Sequence, residues 1–275
     1  HYHQICYTMG TQTDRKLNIP GEDLERSHSA TEFVAWYNGH PDYRDCTFDL
    51  SQETVAIVGV GNVAVDVARI LCRTVDELAR TDIADYALEA LRASQVRTVY
   101  LLGRRGPAQA AFTNPEVKEL GELERTAISI LPDELRLDAL SRAELDANPN
   151  RETERKLEIL ASFADRAKTD KERRLMLRFL VSPTSFVDDG QGAVGGVMVV
   201  KNELYKNDAG RLRPRATSMN EILPATLVFR SVGYKGVAMP GIPFHKAWGV
   251  ILNEKGRIIS EGTHEPVVGE YTAGW

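Results

Sequence analysis

The sequence predicts an α/β fold: a parallel sheet covered by helices in three layers, with a small antiparallel β excursion. Three observations carry that prediction. TVAIVG at 54–59 is a short β-branched apolar run, the pattern of a strand buried on both faces. The following GVGNVAVDVARIL switches to helical spacing, with Val63, Val67, Ile70 and Leu71 on one stripe and Asp66 and Arg69 off it. RTVYLLG at 97–103 reads as the next strand, and strand, helix, strand is the logic of a doubly wound sheet.

The remaining elements follow in order. Residues 1–50 open with a short apolar run and a loop, TQTDRKLNIPGED. A helix through ATEFVAWYNGH comes next, with Ser27 or Ser29 as its N-cap. DIADYALEALRA at 82–93 reads as a further helix. Residues 114–180 are rich in charge, and both NPEVKELGELER and ETERKLEILASFADRAKTDKERRLMLRFL read as helices with solvated charged faces. No chemistry is assigned to that stretch. The period then changes. GAVGGVMVVKNELY, RLRPRATSMNEI and ATLVFRSVGY read as strands joined by polar turns, an antiparallel excursion that rejoins the sheet with ATLVFRSVG. GVILNEKGRIIS at 249–260 reads as a hairpin turning at Asn253–Gly256.

Composition narrows the function classes. A net charge of −5 argues against a general nucleic-acid binder. No apolar run is long enough to form a membrane-spanning helix. Cys6, Cys46 and Cys72 form neither a CxxC pair nor an iron–sulfur spacing, so they are expected as small buried hydrophobes in a reducing cytoplasm. The six histidines have no metal-ligand spacing, so no metal site is expected, and no general acid or base is nominated.

One motif carries chemistry. Gly59-Val60-Gly61-Asn62-Val63-Ala64 fits GxGxxG/A, with a buried strand before it and an amphipathic helix after it. Gly59 permits the tight turn, Gly61 lets a pyrophosphate approach the backbone, and Ala64 lets the helix pack closely on the sheet. The helix N-terminus then offers N–H groups and a positive dipole end to the phosphates. This specifies the fold as a Rossmann-like three-layer dinucleotide-binding domain. The second strand ends in Arg104-Arg105 rather than an acidic residue. Paired guanidinium groups there favour a 2′-phosphate, hence NADP over NAD. Their distance from the glycines is longer than usual, and the helix at 82–93 accounts for it as an insertion. Glu116, in the next helix, is a candidate to hold a ribose hydroxyl or to orient an arginine.

TVAIVGVGNVAVDVARIL, TDIADYALEAL and VYLLGRRGPAQAAFTNPEVKELGELE resemble the NADP-binding domain of ferredoxin–NADP reductases of the adrenodoxin-reductase type. So do FLVSPTSF, VFRSVGYKG, GIPFHKAWGVILNEKGR and YTAGW, so the resemblance spans nearly the whole chain. It implies that Gly61, Asn62, Val63 and Ala64 form the pyrophosphate turn, that Arg104 and Arg105 grip the 2′-phosphate, that Glu116 contacts NADP, and that Trp275 lies beside a flavin. In that family the NADP domain is inserted into an FAD domain with its own glycine fingerprint. No second fingerprint follows an N-terminal strand here. Residues 1–10 and 268–275 are therefore expected as junctions to an FAD domain of the same polypeptide, and 11–267 as the NADP-binding domain. The implied parent moves a hydride between NADPH and FAD and single electrons to or from a ferredoxin-like iron–sulfur protein. The segment alone is expected to bind NADP(H) without reducing ferredoxin. Two other readings remain open: an electron-transfer subunit of a glutamate-synthase-like enzyme, and a non-enzymatic dinucleotide-binding module.

Overall fold

The computed structural model describes residues 2–11, 13–166 and 170–274. The chain divides into a larger compact unit, 17–231, and a smaller one formed by 1–16 with 232–275. These divisions lie further inside the chain than the expected junctions. Pairing of the strand at Pro266–Thr272 with both Ile5–Tyr7 and Arg257–Ile259 groups the C-terminal hairpin with the N-terminal segment.

In chain order, β1 (Ile5–Tyr7) and β2 (Thr13–Asp14) belong to the smaller unit, and β3 (Ser27–Ser29) opens the larger. Helix α1 (Ala30–Tyr37) starts at a capping box. The Ser29 hydroxyl accepts from the Thr31 and Glu32 N–H groups, and the Glu32 carboxylate accepts from the Ser29 N–H. The helix buries Phe33, whose ring lies 4.6 Å from Phe229 and 5.0 Å from Phe48.

Strand β4 (Thr54–Val58) and helix α2 (Asn62–Cys72) follow, then α3 (Val75–Leu78), α4 (Asp85–Arg92) and β5 (Thr98–Gly103). Ala64, Val65, Ala68 and Cys72 join Val67 and Leu71 on the buried face of α2, while Val63 and Ile70 pack at its margin. Helix α5 (Asn114–Leu120), strand β6 (Thr126–Ile130), and helices α6 (Pro132–Leu135), α7 (Ala139–Ala147) and α8 (Arg151–Ala164) lead to β7 (Arg173–Phe179).

Here the sequence expectation needs correction. The stretch 152–180 is not all helix: α8 ends at Ala164, and Arg173–Phe179 is a strand between β5 and β6. Thr126–Ile130 is likewise a strand. LMLRF is a short apolar run, which suits a buried strand as well as a helix, and burial of Leu175, Leu177 and Phe179 in the sheet decides between them. Nor are all the charges solvated, since Arg178 and Glu134 are buried together.

Strands β8 (Val181–Asp188), β9 (Val194–Lys206) and β10 (Leu212–Leu223) form the antiparallel excursion in the order β10-β9-β8. The chain returns as β11 (Leu227–Arg230). The main sheet is parallel throughout, in the order β3-β11-β4-β5-β7-β6. Its interior strands are sealed by Val55–Val58, Leu101, Leu175 and Leu227–Phe229. A parallel sheet carrying helices and an antiparallel excursion is the fold that the sequence predicts.

In the smaller unit β12 (Tyr234–Lys235) pairs with β2, and β13 (Phe244–His245) pairs with β14 (Val250–Ile251). Strand β15 (Asn253–Glu254) turns into β16 (Arg257–Ile259), which lies beside β17 (Pro266–Thr272). The turn holds Lys255 at φ 50° and Gly256 at φ 82°. Two successive left-handed residues are what a tight hairpin turn requires. Cys72 is buried, Cys46 half-buried and Cys6 exposed, so buried packing holds for Cys72 and not for Cys6. No helix among the described residues is long and apolar enough to cross a membrane.

Candidate functional site

The site is built where β4 and β5 end side by side, with Val58 paired to Leu102. After β4 the backbone turns at Gly59, whose φ is 133°. A Cβ there would press into the carbonyl oxygen of Ser231, so the turn demands glycine twice over. Gly61 then caps α2 in extended conformation, and no side chain caps the helix. A Cβ on Gly61 would meet nothing within 4 Å. Uncapped N–H groups with open space before them suit a bound anion. Ala64 is fully buried, as close packing on the sheet requires.

The segment after β5 folds back over this turn. The Val60 carbonyl accepts from the Ala111 N–H at 2.9 Å and from the Phe112 N–H at 3.0 Å. The Asn62 side chain accepts from the Thr113 N–H at 2.9 Å. Phe112 is buried beneath. Helix α8 backs the segment at two points. The Lys156 ammonium donates to the Ala110 carbonyl at 2.5 Å, and the Asn114 amide donates to the Glu152 carbonyl at 3.0 Å. Burial pushes the Lys156 ammonium below the ordinary lysine range.

Arg104 and Arg105 form the turn directly after β5, Arg104 exposed and Arg105 half-buried. The excursion fastens their backbone. Asn202 donates its side-chain amide to the Arg104 carbonyl at 2.9 Å, and Leu180 donates its N–H to the Arg105 carbonyl at 3.1 Å. Among the described residues neither guanidinium has an ion-pair partner. Burial, and then the positive charges of Arg104 and Arg213, push the Arg105 guanidinium below its usual range, against the opposing pull of Glu144. Clustered unpaired cations on a turn favour an anionic ligand.

Glu116 lies half-buried on α5 and meets Arg69 of α2, its Oε2 3.3 Å from Nη1. Arg69 also pairs with Asp66 and Glu119. Burial raises the Asp66 carboxyl above the usual carboxylate range, against the pull of Arg69. Of the residues singled out in the sequence, Gly59, Gly61, Asn62, Val63 and Ala64 form the turn itself. Arg104 and Arg105 stand at the end of the adjoining strand, and Glu116 is tied to helix α2 through Arg69. Trp275 lies outside the described residues. Asn202, Lys156 and Arg69 escape sequence reading. Only Asn202 leaves a trace there: it is the polar member of the buried alternation Val200, Asn202, Leu204.

No protein-family model matches the chain. The NADPH-ferredoxin reductase FprA of Mycobacterium tuberculosis is 43% identical over 274 residues, all of this chain and 58% of that protein. The mitochondrial NADPH:adrenodoxin oxidoreductase of Arabidopsis thaliana is 39% identical over 284 residues, again with all of this chain and 58% of that protein covered. The structure of M. tuberculosis FprA in complex with NADPH superposes with a TM-score of 0.90, covering 100% of this chain and 58% of that one. The chain thus spans 58% of the length of these relatives. In sequence and in fold, over its whole length, it is a relative of the ferredoxin–NADP reductases of the adrenodoxin-reductase type.

Proposed function

We propose that the chain is the NADP(H)-binding domain of a flavoprotein ferredoxin–NADP(+) reductase. The observation that carries this reading is the unpaired Arg104-Arg105 turn at the end of the strand next to the glycine turn. The residues fit the coenzyme. Gly61 faces open space at an uncapped helix N-terminus, where a pyrophosphate has room and donors. The two arginines stand at the end of the second strand, where the adenosine ribose of a dinucleotide is held. Glu116 steadies Arg69 of α2, and in this reading it is also the acidic residue that contacts the coenzyme.

When bound, the coenzyme supplies the reducing equivalents. The residues of this chain orient it. The α2 N-terminus fixes the phosphates, and the 107–113 segment holds the turn in place through the Val60 carbonyl. Arg104 and Arg105 select the phosphorylated ribose. No group in this site needs to take or give a proton. In this reading the flavin belongs to an FAD domain of the same polypeptide, and a ferredoxin-like iron–sulfur protein is the electron partner. The free thiols at Cys6, Cys46 and Cys72 agree with a reducing, cytoplasmic setting.

Calorimetric titration of the chain with NADPH and NADH tests the reading. NADPH should bind tighter by about a hundredfold, the worth of two charge-assisted hydrogen bonds. Arg104→Ala should cut that margin by about tenfold while leaving NADH nearly unchanged. Equal losses for both coenzymes would remove the 2′-phosphate assignment. The chain alone should not reduce ferredoxin with NADPH, and turnover by the purified chain without added flavoprotein would contradict the domain assignment.

A further inference from the structure

We infer that Lys156, on helix α8, is a positioning residue of the coenzyme site, holding the 107–113 segment closed over the pyrophosphate turn. The inference rests on the coenzyme reading above and adds a residue from outside the βαβ unit. The geometry is a short relay. Lys156 Nζ donates to the Ala110 carbonyl at 2.5 Å. The next two residues, Ala111 and Phe112, donate both their N–H groups to Val60, the residue between the two glycines. Thr113 donates its N–H to Asn62, the first residue of α2. Three successive residues therefore grip the turn, and Lys156 holds the residue just before them.

Among the described residues no carboxylate forms an ion pair with Lys156. Its ammonium lies 5.6 Å from the centre of the Phe112 ring, itself fully buried. Glu152, one turn away on the same helix, favours the charged form, but burial outweighs it, and a half-buried cation costs free energy unless something more repays it. A pyrophosphate at the α2 N-terminus would, by setting an anion beside the segment that Lys156 holds. A charged donor also grips the Ala110 carbonyl more strongly than a neutral one could. The second tie from α8, Asn114 to the Glu152 carbonyl, involves no charge and leaves Lys156 as the electrostatic link.

The relay ends at the pyrophosphate turn, on Val60 and Asn62, so its effect should fall on what NADPH and NADH share. The test titrates the full chain, as wild type, Lys156→Met and Lys156→Arg, with NADPH, NADH and 2′-AMP, which carries the 2′-phosphate and no pyrophosphate. Lys156→Met should weaken NADPH and NADH alike, by about tenfold, and leave 2′-AMP within twofold. The salt dependence of NADPH binding should flatten in that variant, and Lys156→Arg should restore both affinity and salt dependence. Unchanged NADPH affinity in Lys156→Met would overturn the inference. So would an equal loss for 2′-AMP, because that is general damage, and the unfolding midpoint of each variant without ligand provides the control. A wild-type chain that binds neither NADPH nor NADH would overturn the coenzyme reading and the inference with it. That outcome is seen before any Lys156 variant is compared.

Discussion

Asn202 donates its side-chain amide to the main-chain carbonyl of Arg104 at 2.9 Å, which joins the middle strand of the antiparallel excursion to the turn that presents the two arginines. The same amide donates to the Ser182 hydroxyl at 2.7 Å, and the residue is buried. The carboxamide thus sets where the guanidinium groups begin.

Asn202→Leu should therefore act on selectivity as well as stability. It strands the Arg104 carbonyl and the Ser182 hydroxyl, at a cost of about 1–3 kcal/mol in urea unfolding. The ratio of NADPH to NADH affinity should fall at the same time, measured by calorimetry. A purely structural loss would leave that ratio unchanged.

Gly59→Ala and Gly61→Ala should separate folding from binding. A methyl group on Gly59 meets the Ser231 carbonyl oxygen from a left-handed backbone, so the variant should lose about 3 kcal/mol or more. On Gly61 the methyl group enters open space. That variant should keep its unfolding midpoint and lose affinity for both coenzymes, because the group occupies the phosphate approach. Unfolding curves and titrations of the pair decide the matter.

His28 should make stability depend on pH. Burial, then the positive charge of Arg230, pushes its imidazole down from 6.5 to about 4. Its ring sits 4.9 Å from Phe48 and 6.0 Å from Phe229. The folded state thus binds fewer protons than the unfolded chain between these values. Stability is complete above pH 6.5, falls as pH drops toward 4, and loses nothing more to this group below that. The full loss should be about 3 kcal/mol in urea unfolding across that range. His28→Leu should remove this part of the slope.

Arg178 and Glu134 should show strong coupling. Each side chain is only 7% exposed, and they pair at 2.9 Å. Glu134 also accepts from the Phe179 N–H at 2.8 Å, and Arg178 reaches Glu221 at 2.9 Å. Arg178→Met leaves a buried carboxylate without its partner and should cost about 3–5 kcal/mol. Adding Glu134→Gln should recover part of that loss. A double-mutant cycle in urea measures the coupling, and additive losses would disprove it.

Elements whose signals are local were legible in the sequence. The helix start near Ser27 or Ser29, which the structure fixes at Ser29, the glycine turn after β4 and the strands of the excursion each arise within a few residues. Strand β7 was not legible, because KERR joins the charged run of α8 to a short apolar segment that suits either period. What makes LMLRF a strand is its place between β5 and β6, a tertiary fact. The site divides the same way. The arginine pair and the glycines stand in the sequence, whereas Lys156 sits in a helix crowded with charge and meets a carbonyl 46 residues away.

The position of β11 bears on how the chain acquires its shape. Leu227 pairs with Val55, and Val228 with Ser27, so the last strand of the main sheet slots between two of the first. During synthesis the N-terminal strands must wait, with unpaired edges, until more than a hundred further residues have emerged. Such distant pairing slows folding and leaves those edges open to wrong partners. The Gly59 turn leans on Ser231, at the end of that latecomer, so this glycine turn is expected among the last features to take its final form.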